Sequence, residues 1–513
     1  MKKLFCFLLA VMLLVTPLVS CGGDANDGTG NADGGAVSGG NDTQNGDQGG
    51  EGTDTEVTEI KPDIPEVRYD GEEFRTFVSG TLHYSDFDPE ENSGSYKSVN
   101  EAIHKRNTAM EEKYGITMSS ETSFGTSFGD GPGFMKLSND YNSGLAEYEL
   151  CMVGTYDAAQ LALGLYIKDL NSTKYIDLEK PYWDQKVNED LSINGIVFYT
   201  TGDISFVDNI CTHMIMFNKD LLKELDLTSP YELVDQDKWV FDTFNQYIKA
   251  GSLEMDGVDG ATNGDRYGLL TWNDVIHQSL FSSRNRICTI NDRGYMSLTV
   301  YNATTVSVMD KYTTLFYDNF TTYNYSKRVA DQKEWDVVRK SMFDNGQALF
   351  YTTLFTTVPQ HRDSMVNFGI IPYPKFTEDQ DDYGHYVSGT HAQMMCIEAL
   401  HDDEALDMIS LITEDLAYTS SQTVTPAYYD TTLIGKNVRD EESVGMLDII
   451  FATRVYDVGV YYKIGGAQTV HANMTALLTT GVNNFASRYE ELRPAAQNKI
   501  DAINEQFENI IDG

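Results

Sequence analysis

The chain has 513 residues, 41% hydrophobic and 12% aromatic, with a formal net charge of −41 at pH 7. A surface this acidic repels phosphate backbones and anionic lipid, which argues against nucleic acid as a partner; it says nothing about fold. The stretch from about residue 65 on is long enough for two or three domains at ~150 residues each.

Lys2 and Lys3 precede an apolar run of 12 residues, Leu4 to Val15. The run falls short of the ~20 residues of a membrane span and has the size and flanks of a secretory leader. No other segment approaches a span. Leu18-Val-Ser-Cys21, followed by Gly22-Gly23, resembles the bacterial lipobox. Residues 1–20 are therefore expected to form a lipoprotein signal peptide, with Cys21 the lipidated first residue of the mature chain.

Residues 21–64 are predicted to be a tether. From Gly22 to Asp63 there are 12 glycines, 10 acids, one lysine and no aromatic residue. Such a composition buries too little apolar surface to offset the entropy of ordering. As a flexible coil the segment reaches roughly 35 Å. With Lys2, Lys3 and the −9 of this stretch set aside, the rest of the chain carries about −34.

The body, from residue 65, reads as alternating strands and helices, the pattern of an α/β protein. Phe74–Val78 alternates and stops at Gly80. Val99, Ile103, Met110 and Tyr114 share a helical face, and Gly115 stands where a C′ glycine belongs. Ile116–Met118 resumes a strand. Strands are also predicted at Tyr148–Val153, Ile196–Thr200, His213–Phe217 and Tyr267–Thr271. Helices are predicted at Ala158–Leu165, Trp239–Ala250, Asp402–Leu416 and Arg493–Ile511. Cys151, Cys211, Cys288 and Cys396 are widely spaced without a CxxC, so no essential disulfide is expected.

A series of motifs runs through this body in a fixed order. Val99-Asn-Glu-Ala-Ile-His-Lys-Arg-Asn107 precedes Glu111-Glu-Lys-Tyr-Gly-Ile116. Lys180-Pro-Tyr-Trp-Asp-Gln185 precedes Gly202-Asp-Ile204. Met216-Phe-Asn-Lys-Asp-Leu221 is followed by Ser229-Pro-Tyr-Glu-Leu233 and Lys238-Trp-Val-Phe-Asp242. Asn345-Gly-Gln-Ala348 precedes Phe368-Gly-Ile-Ile-Pro-Tyr-Pro374, and Pro426-Ala-Tyr-Tyr-Asp430 precedes Arg439-Asp-Glu-Glu-Ser443. Together they resemble the extracellular solute-binding proteins of ABC importers, the maltose-binding-protein-like class called family 1. The resemblance implies a two-lobe periplasmic-binding-protein-like α/β fold of type II, with discontinuous lobes, hinge segments and a central ligand cleft. It places lobe 1 at residues 65–208 and 368–426, and lobe 2 at 209–367 and 427–513. It also implies capture of a small molecule, a mono- or oligosaccharide, by lobe closure, with delivery to ABC permease subunits. A monomer without cofactor or metal is expected.

By position against this family, Thr155 and Tyr156 end a strand of lobe 1, and Asp203 and Ser205 follow the strand that enters the hinge. Trp272, Asn273 and Asp274 end the strand Tyr267–Thr271, and Phe355 stands where the family often carries a stacking tryptophan. Sugars need aromatic faces for their apolar ring surfaces and carboxylates or amides for their hydroxyls. Each of these residues also fits a plainer role as a buried aromatic or a solvated carboxylate. Trp239 and Trp335 read as structural.

Signals of other chemistry are thin. Gly125-Thr-Ser-Phe-Gly129 fits G-x-S-x-G, but Asp130-Gly-Pro-Gly133 follows where a nucleophile elbow needs a helix. His385 and His391 lack zinc-motif spacing. Asp256–Asp265 resembles a calcium loop, with Val258 in place of an oxygen ligand. With 78 acids, paired carboxylates arise by chance. The rival readings are an exported carbohydrate-active hydrolase or lyase, a binding protein for a membrane sensor, and a surface adhesin.

Overall fold

The computed structural model describes residues 60–437, 440–466 and 468–512. The signal peptide, Cys21 and nearly all of the expected tether lie outside them. Among the described residues no helix is long and apolar enough to cross a membrane.

The strands that matter are β1 (Glu73–Gly80), β2 (Thr117–Phe124), β3 (Leu150–Gly154), β4 (His213–Asn218), β5 (Tyr267–Thr271), β6 (Thr322–Asn324), β7 (Ala348–Leu354), β8 (Phe368–Ile371), β9 (His385–Tyr386), β10 (Gln393–Cys396) and β11 (Arg454–Val455). The helices used below are α1 (Lys97–Tyr114), α2 (Thr155–Leu163), α3 (Phe241–Gly251), α4 (Trp335–Asp344), α5 (Asp403–Gln422), α6 (Val470–Thr480) and α7 (Phe485–Asp512).

Two sheets organise the two lobes. The first has the order β10-β3-β1-β2, with β1 parallel to β2 and β3, and β10 antiparallel to β3. The second has the order β8-β4-β7-β5-β6, with β5 parallel to β6 and β7. In it β4 lies antiparallel to both β7 and β8. Central strands buried on both faces read as continuous apolar runs. β3 is Leu-Cys-Met-Val-Gly and entirely buried, whereas edge strand β2 leaves every residue at least partly exposed.

Local sequence explains the elements. The buried side chains of α1 include Val99, Ile103, Met110 and Tyr114, the face expected from their spacing. Gly115 adopts φ 67°, and its amide bonds to the Glu111 carbonyl, closing the helix in the left-handed conformation that glycine tolerates. Trp239 is fully buried, its indole donating to the Pro372 carbonyl. It precedes α3 and is structural, as read.

Several boundaries differ from expectation. Ile196–Thr200 makes only isolated bridges, Ile193 to Ile196 and Thr200 to Met395, because its apolar side chains enter the core without a neighbouring strand of matching length. The chain does not return to the first lobe at Phe368. β8 pairs with β4, Phe368 opposite Asn218, so it completes the second sheet. The return comes with β10, after β9 has paired with β11. α5 runs on to Gln422, and α7 begins at Phe485 with Pro494 inside it. Beyond Pro426 a π-helical run spans Ala427–Asn437.

Candidate functional site

β1, β2 and β3 run parallel, as do β5, β6 and β7, so each sheet presents a rim of strand carboxyl ends. That is where open α/β sheets bind ligands. The rims face two cavities that share Asp274 and Thr390. One, of about 420 Å³, is lined by Leu82 after β1 and by Trp272, Tyr325, Trp335, Arg339 and His391. The other, of about 630 Å³, is lined by Phe128 and Tyr156 from the first lobe and by Lys463, Thr469 and His471 from the second.

The aromatic wall is built in depth. Trp272 leaves the end of β5 and stacks on buried His213 at 5.3 Å and 15°. Tyr325, just past β6, lies at 6.2 Å and 21° to it, and Trp335 meets Tyr325 edge-on at 5.8 Å. The Trp335 indole donates to the Val329 carbonyl at 2.9 Å, which sets its orientation. Trp335 thus lines the cleft, correcting its purely structural assignment. Tyr156, on the first turn of α2, packs between Phe128 (5.9 Å) and Tyr461 (6.5 Å).

Polar groups punctuate this wall. Asp274 stands at the waist between the cavities; burial raises its carboxyl above the usual range, against a hydrogen bond with Trp272. Arg339 bonds Asp336 at 2.5 Å, one turn earlier on α4. Burial alone would lower its pKa, but Tyr351, Tyr325 and Asp336 outweigh that, and the guanidinium stays charged. Lys463 reaches from the second lobe to donate to the Phe128 carbonyl at 2.6 Å. Burial holds His391 down to about 4 and His471 down to about 3, so both imidazoles are neutral at physiological pH. The cleft therefore offers flat rings, neutral imidazoles, one enclosed carboxyl and two cations.

Of the residues singled out from sequence, Tyr156, Trp272 and Asp274 line this cleft. Thr155 is buried behind it, its hydroxyl donating to the Gly389 carbonyl. Asn273 accepts from the Asn324 amide at 2.8 Å and ties the ends of β5 and β6 together. These two expectations are corrected, as are those for Phe355, Ser205 and Asp203. Phe355 is 1% exposed, with its ring stacked on Phe451 at 5.0 Å. The 3₁₀ turn after β7 sends that ring into the core and leaves Thr356 on the cavity. Ser205 is buried and donates to Asp86 Oδ2 at 2.8 Å.

Asp203 lines a separate cavity of about 210 Å³, with Asp184, Asp208, Tyr428 and Arg454. Thr425 donates to it at 2.7 Å, and burial raises its carboxyl to about 6. There Arg454 bonds Asp184 at 2.5 Å and Asp208 at 3.1 Å. Sequence reasoning did not find Tyr325, Arg339, Lys463 or His471. Only the Trp335, Asp336, Arg339 spacing on one helix carried a signal.

Ser127 of the G-x-S-x-G match is 1% exposed and lies under Gly154, where an added Cβ would meet its oxygen at 2.1 Å. A nucleophile needs an open approach, and this hydroxyl has none. Glu254, Asp256 and Asp265 bring carboxylate oxygens within 4.8 Å of one another, close enough to hold a cation. Asp265 already accepts the Met255 and Thr262 amides, at 3.0 and 2.8 Å.

No protein-family model and no curated protein matches this chain. Solved structures do. An ABC substrate-binding protein from Listeria monocytogenes, in complex with cycloalternan, is 13% identical, with a TM-score of 0.52 over 85% of this chain and 99% of its own. A sugar transporter from Rhizobium etli, in an open conformation, is 13% identical, with a TM-score of 0.52 over 84% and 99%. The maltose-binding periplasmic protein MalE from Listeria monocytogenes, with maltose bound, is 13% identical, with a TM-score of 0.51 over 85% and 98%. At such identities the likeness establishes the fold.

Proposed function

We propose that this protein, which has the two-lobed fold of ABC-transporter substrate-binding proteins, captures a carbohydrate in the cleft between its lobes and presents it to ABC permease subunits. The observation that carries this reading is the cleft itself. Two rims of strand ends face each other across joined cavities whose walls are Trp272, Tyr325, Trp335 and Tyr156, with Asp274 and Arg339 among them. Aromatic faces cover the apolar side of a sugar ring, while charged groups and amides take its hydroxyls. The similar proteins solved with cycloalternan and with maltose support a sugar as the ligand class.

Contacts from both lobes make the closed state the better binder, so ligand shifts the population toward closure. Solution scattering should show contraction when ligand is added. Binding without turnover is part of this reading; the one serine in a nucleophile-like motif, Ser127, is buried beneath Gly154. A thermal-shift screen of the protein against a carbohydrate panel tests the whole reading. A rise in Tm with a neutral or acidic saccharide supports it; hydrolysis of panel members would replace it with an enzymatic one.

Trp272→Ala should then weaken binding of the saccharide found in that screen about ten- to a hundredfold, the ~1–3 kcal/mol of a lost stacking ring. Unfolding of the ligand-free protein should shift less than for a core truncation, because the ring is only partly buried and borders the cavity. Calorimetric titration beside urea unfolding checks both halves. An unchanged affinity removes Trp272 from the site.

Attachment through a lipidated Cys21 belongs to the same proposal. Cys21→Ala should release the protein from the membrane fraction or leave its leader uncleaved. A variant that stays membrane-bound at mature size overturns the anchor.

A further inference from the structure

Each of the two joined cavities has one cation in its wall, Arg339 in the first and Lys463 in the second. Among the described residues neither is paired with a buried carboxylate. The Arg339 side chain is 16% exposed, whereas Asp336, which bonds its Nη2 at 2.5 Å, is 72% exposed. An ion pair with so exposed a partner stabilises little. The buried Nε of Arg339 has no hydrogen-bond partner among the described residues. A guanidinium carries five N–H donors, so several remain for a ligand. Lys463 directs its ammonium at a neutral acceptor, the Phe128 carbonyl. Arg454 is the contrast: Asp184 and Asp208, 6% and 1% exposed, neutralise it within the protein. A largely enclosed cation without such a partner is completed by an anion that the ligand brings.

We infer that the captured saccharide is acidic, an oligosaccharide of uronic acids with one carboxylate received by Arg339; this rests on the carbohydrate reading above. Trp335 and Arg339 stand four residues apart on α4, so indole and guanidinium share a helix face, and both line the cavity. A hexuronate has an apolar ring face for the aromatic wall and a planar carboxylate for the guanidinium fork. Lysine offers a point charge instead of a fork. Arg339 therefore selects the carboxylate, and Lys463 serves a second acidic sugar in the neighbouring cavity. Asp274, at the waist, is the acid that opposes such a ligand, and its raised carboxyl lessens the opposition. The net charge of −41 acts from a distance and is screened beyond ~8 Å at physiological salt; a cation in contact is not.

The test is calorimetric titration of the full chain with trimers of galacturonate, mannuronate and guluronate and with glucuronate-containing disaccharides. Each is paired with its methyl ester, which keeps ring and linkage but removes the charge. An acidic oligosaccharide should bind, and its ester should bind about ten- to a hundredfold more weakly. Arg339→Gln should weaken binding of the acid by a similar factor and leave that of the ester unchanged, and Arg339→Lys should restore part of the loss. The ester comparison is made on wild type, so it decides even where a variant does not fold. A neutral saccharide that binds best, with its affinity unmoved in Arg339→Gln, overturns the acidic ligand and leaves carbohydrate capture standing. Binding of sulfated sugars but of no uronate overturns the carboxylate. If no saccharide binds, acidic or neutral, both this inference and the carbohydrate reading fall.

Discussion

Phe355→Ala should destabilise the protein by about 3–5 kcal/mol, the usual cost of emptying a buried aromatic site. The ring is 1% exposed and stacks on Phe451 of the second lobe, so its loss leaves a cavity that the neighbouring ring only partly fills. Affinity for the cleft ligand in the folded fraction should stay the same, since Thr356 and not Phe355 meets the cavity. Urea unfolding and titration on the same preparation decide the matter. A variant that unfolds like wild type but binds weakly would put the ring back in the cleft. This result is opposite in kind to that of Trp272→Ala, and the pair separates core from pocket among residues that look alike in sequence.

A loss of similar size, with a pH signature, is expected at Arg454, in the cavity that Asp203 lines. Arg454 holds two nearly buried carboxylates, Asp184 and Asp208, and donates to Asn209 at 2.7 Å. Removing one partner of a buried ion pair leaves uncompensated charge, at a cost of about 3–5 kcal/mol. Burial, opposed by Arg454 and reinforced by Asp184 and Asp86, raises the Asp208 carboxyl to about 7, and burial raises Asp203 to about 6. Both values exceed the ~3.9 of an unfolded aspartate. The folded state therefore binds more protons between about pH 4 and 7. Their contribution to stability is full below that window and is lost as pH rises through it. In Arg454→Met the cation that tolerates ionised Asp208 is gone. The variant should lose most stability at pH 8 and recover part of it at pH 5.5, where Asp208 takes up a proton. Urea midpoints of both proteins at these two pH values give the answer; an equal loss at both would mean that Asp208 is not the responding group.

The positions that misled the sequence reading share a cause. Asp203, Ser205 and Phe355 were placed by their distance from a strand end, and near such an end one residue's step turns a side chain from rim to core. Phe355 and Thr356 differ by that step. Trp335 lay on a helical face whose direction only the neighbours Tyr325 and Trp272 define. Phe368–Ile371 is apolar whichever sheet it joins, so its pairing with β4 left no mark in composition. Lys463 and His471 come from the far end of the chain, and nothing near them in sequence points to a cleft partner such as Phe128 or Tyr156.

What the sequence by itself determined is therefore what neighbours along the chain decide. Helix faces follow from a spacing of three and four, helix ends from glycines such as Gly115, and strands such as Tyr267–Thr271 from short apolar runs between turns. The α/β character rests on those local regularities; the expected tether and leader rest on composition and on the Leu18-Val-Ser-Cys21 motif, and lie almost wholly outside the described residues. Tertiary structure decided which sheet each strand entered, which aromatic rings were left on the cavity, and which charges met. Those contacts join residues far apart in sequence, and their geometry changes with a single residue's shift, which periodicity does not record.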